Sequence, residues 1–244
     1  MLDRDRLVKE VAAYKKDSRK HFDEAVAALI ALAWAGRKPD FAYSADEALW
    51  GKALALCIAL SDKCAESARK RLVSAISDTF DRLNEELIWN EAYDAETQES
   101  LDMAGSHLLD LLAIWIGVAA TNGWTQGYTR VMVSRYLTNP FLCPEWKSIP
   151  LSALAWGRGY ARDVAEQIAL IGQDAIIGGA MYAEWVDAAE KGATYYIRHR
   201  GSGYDCPECD SLCGFPIPIE QPFEFLHARC MCWPEYFYEP LPTL

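Results

Sequence analysis

The sequence predicts an α+β fold that is predominantly α, with a multi-helix body and a small C-terminal β module. Apolar residues recur at three- and four-residue steps over most of the chain up to residue 190, which is the period of amphipathic helices. After Lys191-Gly192, the segment "ATYYIRHR" has the aromatic and β-branched composition of a strand. We therefore expect residues 1–157 to form the helical body, and residues 158–244 to form a long helix followed by the β module.

The first two helices are predicted from their ends and their apolar faces. The first is expected to end at about Gly36, before Lys38-Pro39, because proline interrupts helical hydrogen bonding. Its apolar positions are Leu7, Val11, Tyr14, Phe22, Val26, Leu29 and Ala33. The second is expected to begin at Ser44, since Glu47 three residues later completes a capping box. Its inward-facing positions are predicted to be Leu49, Leu54, Cys57 and Ile58.

Two further helical patterns cover about residues 66–90 and 95–121. Trp89 and Trp115 are the large apolar residues of these patterns, and both are predicted to pack in the core. The second pattern is expected to end at "TNGW", residues 121–124, because asparagine and glycine favour turns.

One long amphipathic helix is predicted over residues 158–189, where apolar positions repeat at helical spacing as far as Trp185. Gly178-Gly179 in its interior costs about 1 kcal/mol per glycine relative to alanine. The pair is therefore expected to mark a close helix crossing or a kink. The predicted strand follows at residues 193–200, and "GSG" at 201–203 supplies a turn.

The acidic balance of the chain argues against a general phosphate-binding surface. The formal net charge is −11, whereas proteins that bind nucleic acids draw affinity from basic patches that release counterions. We therefore expect no tight nucleic-acid binding.

Neither apolar stretch of the chain is predicted to be a targeting or membrane segment. Residues 25–36 have the length of a signal-peptide core, but six acidic residues precede them where a secretory signal would be basic. Residues 111–120 are too short for a bilayer, which takes roughly 20 residues to cross. We expect neither export nor a membrane anchor, and in a reducing compartment clustered cysteines are more often metal ligands than disulfides.

Five of the eight cysteines and one of the four histidines lie between residues 205 and 232. Cys206 and Cys209 form a C-x2-C knuckle, a spacing that lets two thiolates in one tight turn reach the same ion. His227 and Cys230 form an H-x2-C pair, and seventeen residues separate it from Cys209. Three thiolates and one imidazole would complete the tetrahedron of a structural zinc site.

Cys213 and Cys232 are surplus to a four-coordinate site of this kind. One of Cys230 and Cys232 is expected to be the fourth ligand and the other a packing residue, with Cys230 preferred. The alternative without a metal, in which the clustered cysteines are buried thiols or disulfides, stays open at this point.

No catalytic residue is predicted. A tetrahedron completed by protein ligands leaves no open position for a reactive water. Zinc nucleobase deaminases carry a glutamate two residues after the ligand histidine, with their C-x2-C downstream; here Arg229 stands two residues after His227, and the knuckle comes first. His199 is expected to be an exposed polar residue of the strand. The sequence contains no P-loop, GxSxG, HExxH or glycine-rich dinucleotide turn.

The C-terminal segment resembles the C-terminal module of phage Mu protein F-like minor head proteins. The likeness covers roughly residues 160–235 and is carried by "AMYAEWVDAAEKGATYYIRHRGSGYDCPECDSLCGF" and "FLHARCMC". The family ending runs C-x-x-C, a short loop with glycine, then His-Pro-x-Cys-Arg-Cys. The residues that match are Cys206, Cys209, Gly214, His227, Cys230 and Cys232. Ala228 stands where the family has proline, and Met231 where it has arginine.

The resemblance implies a non-enzymatic minor head protein of a tailed phage or prophage, acting near the portal inside the head. The implied partners are portal or capsid proteins, and the implied location is the virion interior or, during assembly, the host cytoplasm. A β segment this small buries too little apolar surface to hold itself together, so zinc is expected to supply folding free energy. Aromatic residues are expected to pack the module onto the helices or to form a partner surface: Tyr195, Tyr196, Trp233, Tyr236, Phe237 and Tyr238. The alternative function is a zinc-containing nuclease-like or toxin-like effector with an unrecognised active site.

Overall fold

The computed structural model describes residues 2–34, 47–77, 85–93, 95–138, 164–201, 206–223 and 232–242. In these residues the fold is mostly helical, with one small antiparallel sheet near the C-terminus, which confirms the predicted α+β class. The helices are α1 (Arg4–Ala33), α2 (Glu47–Ile76), α3 (Glu85–Ala92), α4 (Ala95–Thr121), α5 (Gln126–Thr138), α6 (Val164–Glu190) and α7 (Pro207–Leu212). The strands are β1 (Tyr195–His199), β2 (Pro216–Pro218) and β3 (Trp233–Phe237). The predicted division at residues 157/158 lies outside the described residues.

Several helices follow the predicted pattern. Helix α4 spans the predicted range, and Trp89 and Trp115 are buried. In α1 the predicted apolar positions are buried or half-buried along the whole helix. The predicted end at Gly36 and the predicted start at Ser44 lie outside the described part of the chain.

Helix α2 corrects two predictions. It runs without interruption through residue 66, where a new helix was expected, because no glycine or proline occurs between Lys52 and Ile76 to end it. Leu54 and Ile58 are also exposed, at 37% and 49%, rather than inward-facing. The buried face instead comprises Ala53, Cys57, Leu60, Cys64, Ala68 and Leu72. Each helical residue turns by about 100° from the last, so the neighbours of Ala53 and Cys57 point away from that face.

Helix α5 was not predicted from the sequence. It follows the "TNGW" turn, and the Tyr128 N–H donates to the Thr125 side-chain oxygen at 3.3 Å. A threonine side chain that accepts a hydrogen bond from a backbone N–H of the first helical turn is an N-terminal cap. The missed signal was therefore the polar residue immediately after the turn.

The chain divides into two compact units. Unit 1 comprises residues 1–14, 68–94 and 172–244, and unit 2 comprises residues 15–67 and 95–171. In unit 2, Gly105 of α4 lies against Cys57 of α2, and the Ser61 hydroxyl donates to the Leu101 carbonyl oxygen at 3.2 Å. Within α4, the segment Thr97–Thr121 is long and apolar enough to cross a membrane, with a mean hydropathy of 1.6, and 44% of its most apolar window is buried. Core helices of bundles pass the same test of length and composition.

Unit 1 contains the sheet and the second half of α6. Tyr14 of α1 is fully buried, and its ring lies directly on Gly172 of α6. Glu184 of α6 is also buried, where it accepts from the Leu2 backbone N–H at 2.9 Å and pairs with Arg4 at 2.7 Å. The start of α1 is thus attached to α6 by one close apolar contact and one polar cluster.

The sheet packs on α6 through its aromatic residues. The strand order is β2-β1-β3, with β1 antiparallel to both neighbours. Tyr196 of β1 belongs to the core of unit 1, and Tyr236 packs against that core. The Trp185 side-chain N–H donates to the Ile219 carbonyl oxygen at 3.0 Å. Tyr238 is 56% exposed, so the aromatic residues of the module divide between packing and the surface.

Candidate metal centre

The end of β1 holds the two chain segments that carry the described C-terminal cysteines. On one side, Arg198 forms a bridge with Cys213, and the N–H of the residue after Cys213 donates to the Arg198 carbonyl oxygen at 2.9 Å. On the other side, His199 pairs with Trp233, the residue that follows Cys232. The strand therefore brings Cys213 and Cys232 together, with their Sγ atoms 3.9 Å apart.

Cys206 and Cys209 form a knuckle turn at the start of α7. Cys206 is the N-terminal cap of the helix, and its Sγ accepts from the Cys209 backbone N–H at 3.5 Å. Pro207 fits the first helical position because its ring fixes φ near the helical value and no N–H is needed there. The Asp210 N–H donates to the Cys206 carbonyl oxygen at 2.9 Å and completes the turn. The knuckle predicted from the sequence is thus a helical turn whose N-terminal cap is the sulfur of Cys206.

The four described cysteines of this region form one packed group, which we call the cysteine cluster: Cys206, Cys209, Cys213 and Cys232. Cys209 and Cys232 are buried, and the other two are half-buried against them. Every described cysteine in the protein is a thiol rather than half of a disulfide. Thiolates are soft ligands that select zinc over magnesium or calcium, so the donors of the cluster fit the predicted metal.

Two arginines lie beside the cysteine cluster. Burial, followed by the contact with Cys232, raises the pKa of the Cys213 thiol to about 11, against the opposing effect of Arg198 and Arg200. Arg198 is itself buried. Arg200 pairs with Asp210 and also interacts electrostatically with both thiols of the knuckle. The cluster therefore has positive charge at its edge that would favour ionised sulfur.

The predicted ligands divide between described and undescribed residues. Cys206, Cys209 and Cys232 all belong to the cluster, whereas His227 and Cys230 lie outside the described residues. Cys213, predicted to be surplus, belongs to the cluster as well. Among the residues that the structure describes, no three His, Cys, Asp or Glu side chains already surround one point where an ion would sit.

His199 forms a carboxylate pair on the sheet. Its Nε2 lies 2.8 Å from Glu235 Oε2 on the neighbouring strand, and its ring stacks on Trp233 with centroids 4.5 Å apart. The side chain is 36% exposed, so the ring is held on two sides and open on another.

The cysteines of α2 have a different environment. Cys57 and Cys64 are buried in unit 2, and burial raises their pKa values to about 11 and about 12. Both thiols lie on the buried face of α2 among apolar residues, which is the environment of packing residues.

Unit 2 also contains an open cleft of about 510 Å³ between α1 and α5, lined by Lys16, Arg19, Lys20, Asp23, Glu24, Ala27 and Arg130. Arg19 and Lys20 pair with the two acids of the cleft, one helical turn further along α1. The described residues that line it include no histidine or cysteine. The described lining of the cleft therefore lacks the thiolate and imidazole donors of a structural zinc site.

Comparison of the chain with protein-family models, with curated proteins and with solved structures finds no match. The likeness to phage Mu protein F-like minor head proteins accordingly rests on the motif residues of the C-terminal segment.

Proposed function

We propose that this protein is a non-enzymatic minor head morphogenesis protein of a tailed phage or prophage, with a C-terminal module held by a structural zinc ion. The observation that carries the proposal is the knuckle at Cys206–Cys209, placed at the end of a three-stranded sheet that directly follows a long helix. Long helix, strand and knuckle occur in the same order as in the family that the segment resembles.

A structural role for the ion follows from the size of the sheet. The strands have only three to five residues, so contacts with the core hold the sheet itself while Cys206, Cys209 and Cys213 lie beyond the strand ends. One cysteine-bearing segment meets β1 at Cys213, and the other meets it at the residue after Cys232. An ion bound by cysteines of both segments would fix them, because metal binding to a site that the unfolded chain lacks adds directly to folding free energy.

The head-protein proposal is tested in cells that produce the phage. Mass spectrometry of purified procapsids and virions is expected to find the protein, and it should co-purify with the portal or capsid protein. Deletion of its gene is expected to reduce the yield of filled heads. Heads that form and mature normally without the protein, and never contain it, would overturn the proposal.

One observation favours a second candidate, a nuclease-like or toxin-like effector. A histidine held by a carboxylate, as in the His199–Glu235 pair, is the arrangement of a general base. Incubation of the zinc-loaded protein with DNA and RNA distinguishes the two candidates. We expect no cleavage; metal-dependent cleavage that His199→Ala abolishes would establish the effector instead.

A further inference from the structure

We propose that the zinc ligands are Cys206, Cys209, Cys213 and Cys232, and that metal binding does not require His227 or Cys230. The inference rests on the metal-binding part of the proposed function, and it names the donors of that same site. It differs from the sequence-based ligand set in two of the four positions.

The first argument is the helical spacing of three of the cysteines. Cys206, Cys209 and Cys213 stand at positions i, i+3 and i+7, and α7 occupies the interval between the first and the last. Cys206 is the N-terminal cap of α7 and Cys213 its C-terminal cap, so the two residues flank the helix on which Cys209 lies. The Cys213 N–H donates to the Cys209 carbonyl oxygen at 2.9 Å, so the helical turn continues as far as the third cysteine. The short helix therefore carries one cysteine at each end and one within it, and all three pack with Cys232 in the cysteine cluster.

The second argument is the distance between the sulfurs from the two segments. Zinc–sulfur bonds of about 2.3 Å at the tetrahedral angle place two sulfurs about 3.8 Å apart. The Sγ atoms of Cys213 and Cys232 are 3.9 Å apart. This pair already spans one edge of a zinc tetrahedron, although the two residues are separated by nineteen positions in the chain.

The third argument is charge. Four thiolates around a divalent ion carry a net charge of −2, which is costly to bury without compensation. Arg198 and Arg200 both act electrostatically on Cys213, and Arg200 also acts on the knuckle thiols. Arg200 also pairs with Asp210, so the two arginines offset part of the excess negative charge of a site with four cysteines.

Loading such a site requires side-chain movement, since no three donors yet surround one point in the described residues. Cys206 and Cys209 lie in the same packed group as the Cys213–Cys232 pair. Their sulfurs would turn toward this pair as the ion binds, and each thiol would release its proton to solvent.

The discriminating experiment compares zinc content among single variants of the full chain. Elemental analysis is expected to find about one zinc per chain in the unaltered protein, in His227→Ala and in Cys230→Ser. Cys213→Ser and Cys232→Ser are expected to lose most of the metal, as is Cys206→Ser, which lowers zinc content under either ligand set. Zinc retained by Cys213→Ser and lost from His227→Ala would overturn the assignment.

A second measurement needs no variant and is therefore unaffected by misfolding. X-ray absorption of the zinc-loaded, unaltered protein is expected to give a single shell of sulfur at about 2.3 Å. A nitrogen contribution at about 2.0–2.1 Å would show a histidine ligand and overturn the proposal. Both measurements use the purified chain and do not depend on phage heads. The proposed ligand set and the proposed head function can therefore fail independently of each other.

Discussion

Burial and charge give cysteines of this protein two distinct roles at the scale of the single residue. Cys57 and Cys64 lie on the apolar face of α2, where burial raises their pKa values to about 11 and about 12. Burial also raises the pKa of Cys213 to about 11, but Arg198 and Arg200 oppose that shift and three other cysteines pack with it. An identical side chain is therefore an inert packing group in one unit and a candidate ligand in the other.

The buried thiols of α2 predict a loss of stability at alkaline pH. Their folded pKa values exceed the ordinary value of 9.0, so their contribution is intact below pH 9 and is lost as the pH rises toward 11 and 12. We expect the free energy of unfolding of the unaltered protein to fall by up to about 1.4 kcal/mol per pH unit for each thiol in that window. Cys57→Ala/Cys64→Ala should show a shallower slope between pH 8 and 10.5 in urea titrations. Parallel slopes would contradict this account.

The polar cluster around Glu184 predicts a destabilising substitution near the start of the chain. The Glu184 side chain is 5% exposed, and removal of Arg4 leaves its buried carboxylate without its cationic partner. Arg4→Met should therefore cost about 1–3 kcal/mol of unfolding free energy. Lys9→Met, at an exposed position of the same helix, is the control and should change stability by less than about 0.5 kcal/mol. Equal effects from the two substitutions would show that the Glu184 contact contributes nothing.

The candidate site was only partly predictable from its residues. The knuckle could be predicted because C-x2-C is a local motif whose turn depends on neighbouring residues. The position of Cys232 beside Cys213 could not, because it depends on the register of β3 against β1. Cys213 was assigned as surplus by counting ligands, although its i+7 spacing from Cys206 was visible in the sequence.

At the scale of the element, breaker residues and large apolar residues explain which predictions were correct. Helix α4 matched its predicted range because the "TNGW" turn stops it. The face of α2 was misassigned because alanine gives little periodic signal, yet Ala53 and Ala68 are fully buried. Leu54 and Ile58 were assigned to the buried face because they are large and apolar, although both are exposed.

The contact between α1 and α6 predicts opposite effects of alanine at two helical glycines. A Cβ at Gly172 would overlap the Tyr14 hydroxyl oxygen and the ring carbons next to it. Gly172→Ala should therefore destabilise the protein by about 1–3 kcal/mol through overpacking. Gly51→Ala in α2 meets nothing within 4 Å and should stabilise the protein by about 0.5–1 kcal/mol. Thermal unfolding of both variants provides the comparison, and a gain of stability in Gly172→Ala would refute the close packing.

At the scale of the whole molecule, the two units should respond differently to loss of the proposed zinc ion. The cysteine cluster lies at the end of β1 in unit 1, whereas α4 belongs to unit 2. After chelation, hydrogen exchange is expected to accelerate at residues 195–199 and 233–237 and to remain slow in the buried turns of α4. Far-UV circular dichroism should change little, because the helices dominate it. Uniform acceleration across the chain would mean that the ion supports the entire fold.

The bond from Leu2 to Glu184 has a consequence for the order of events during translation. The two residues are 182 positions apart, so at about 5–20 residues per second the ribosome takes roughly 10–40 s to supply the second after the first. Throughout that interval, Leu7 and Tyr14 lack the α6 partners that cover them in the finished protein. The nascent chain therefore exposes apolar surface that a chaperone would recognise, and Cys206 and Cys232 emerge later still. Binding of the proposed zinc would therefore follow the completion of α6, and a zinc-starved cell would accumulate chains in which α1 has its α6 partner but the cysteine cluster has no ion.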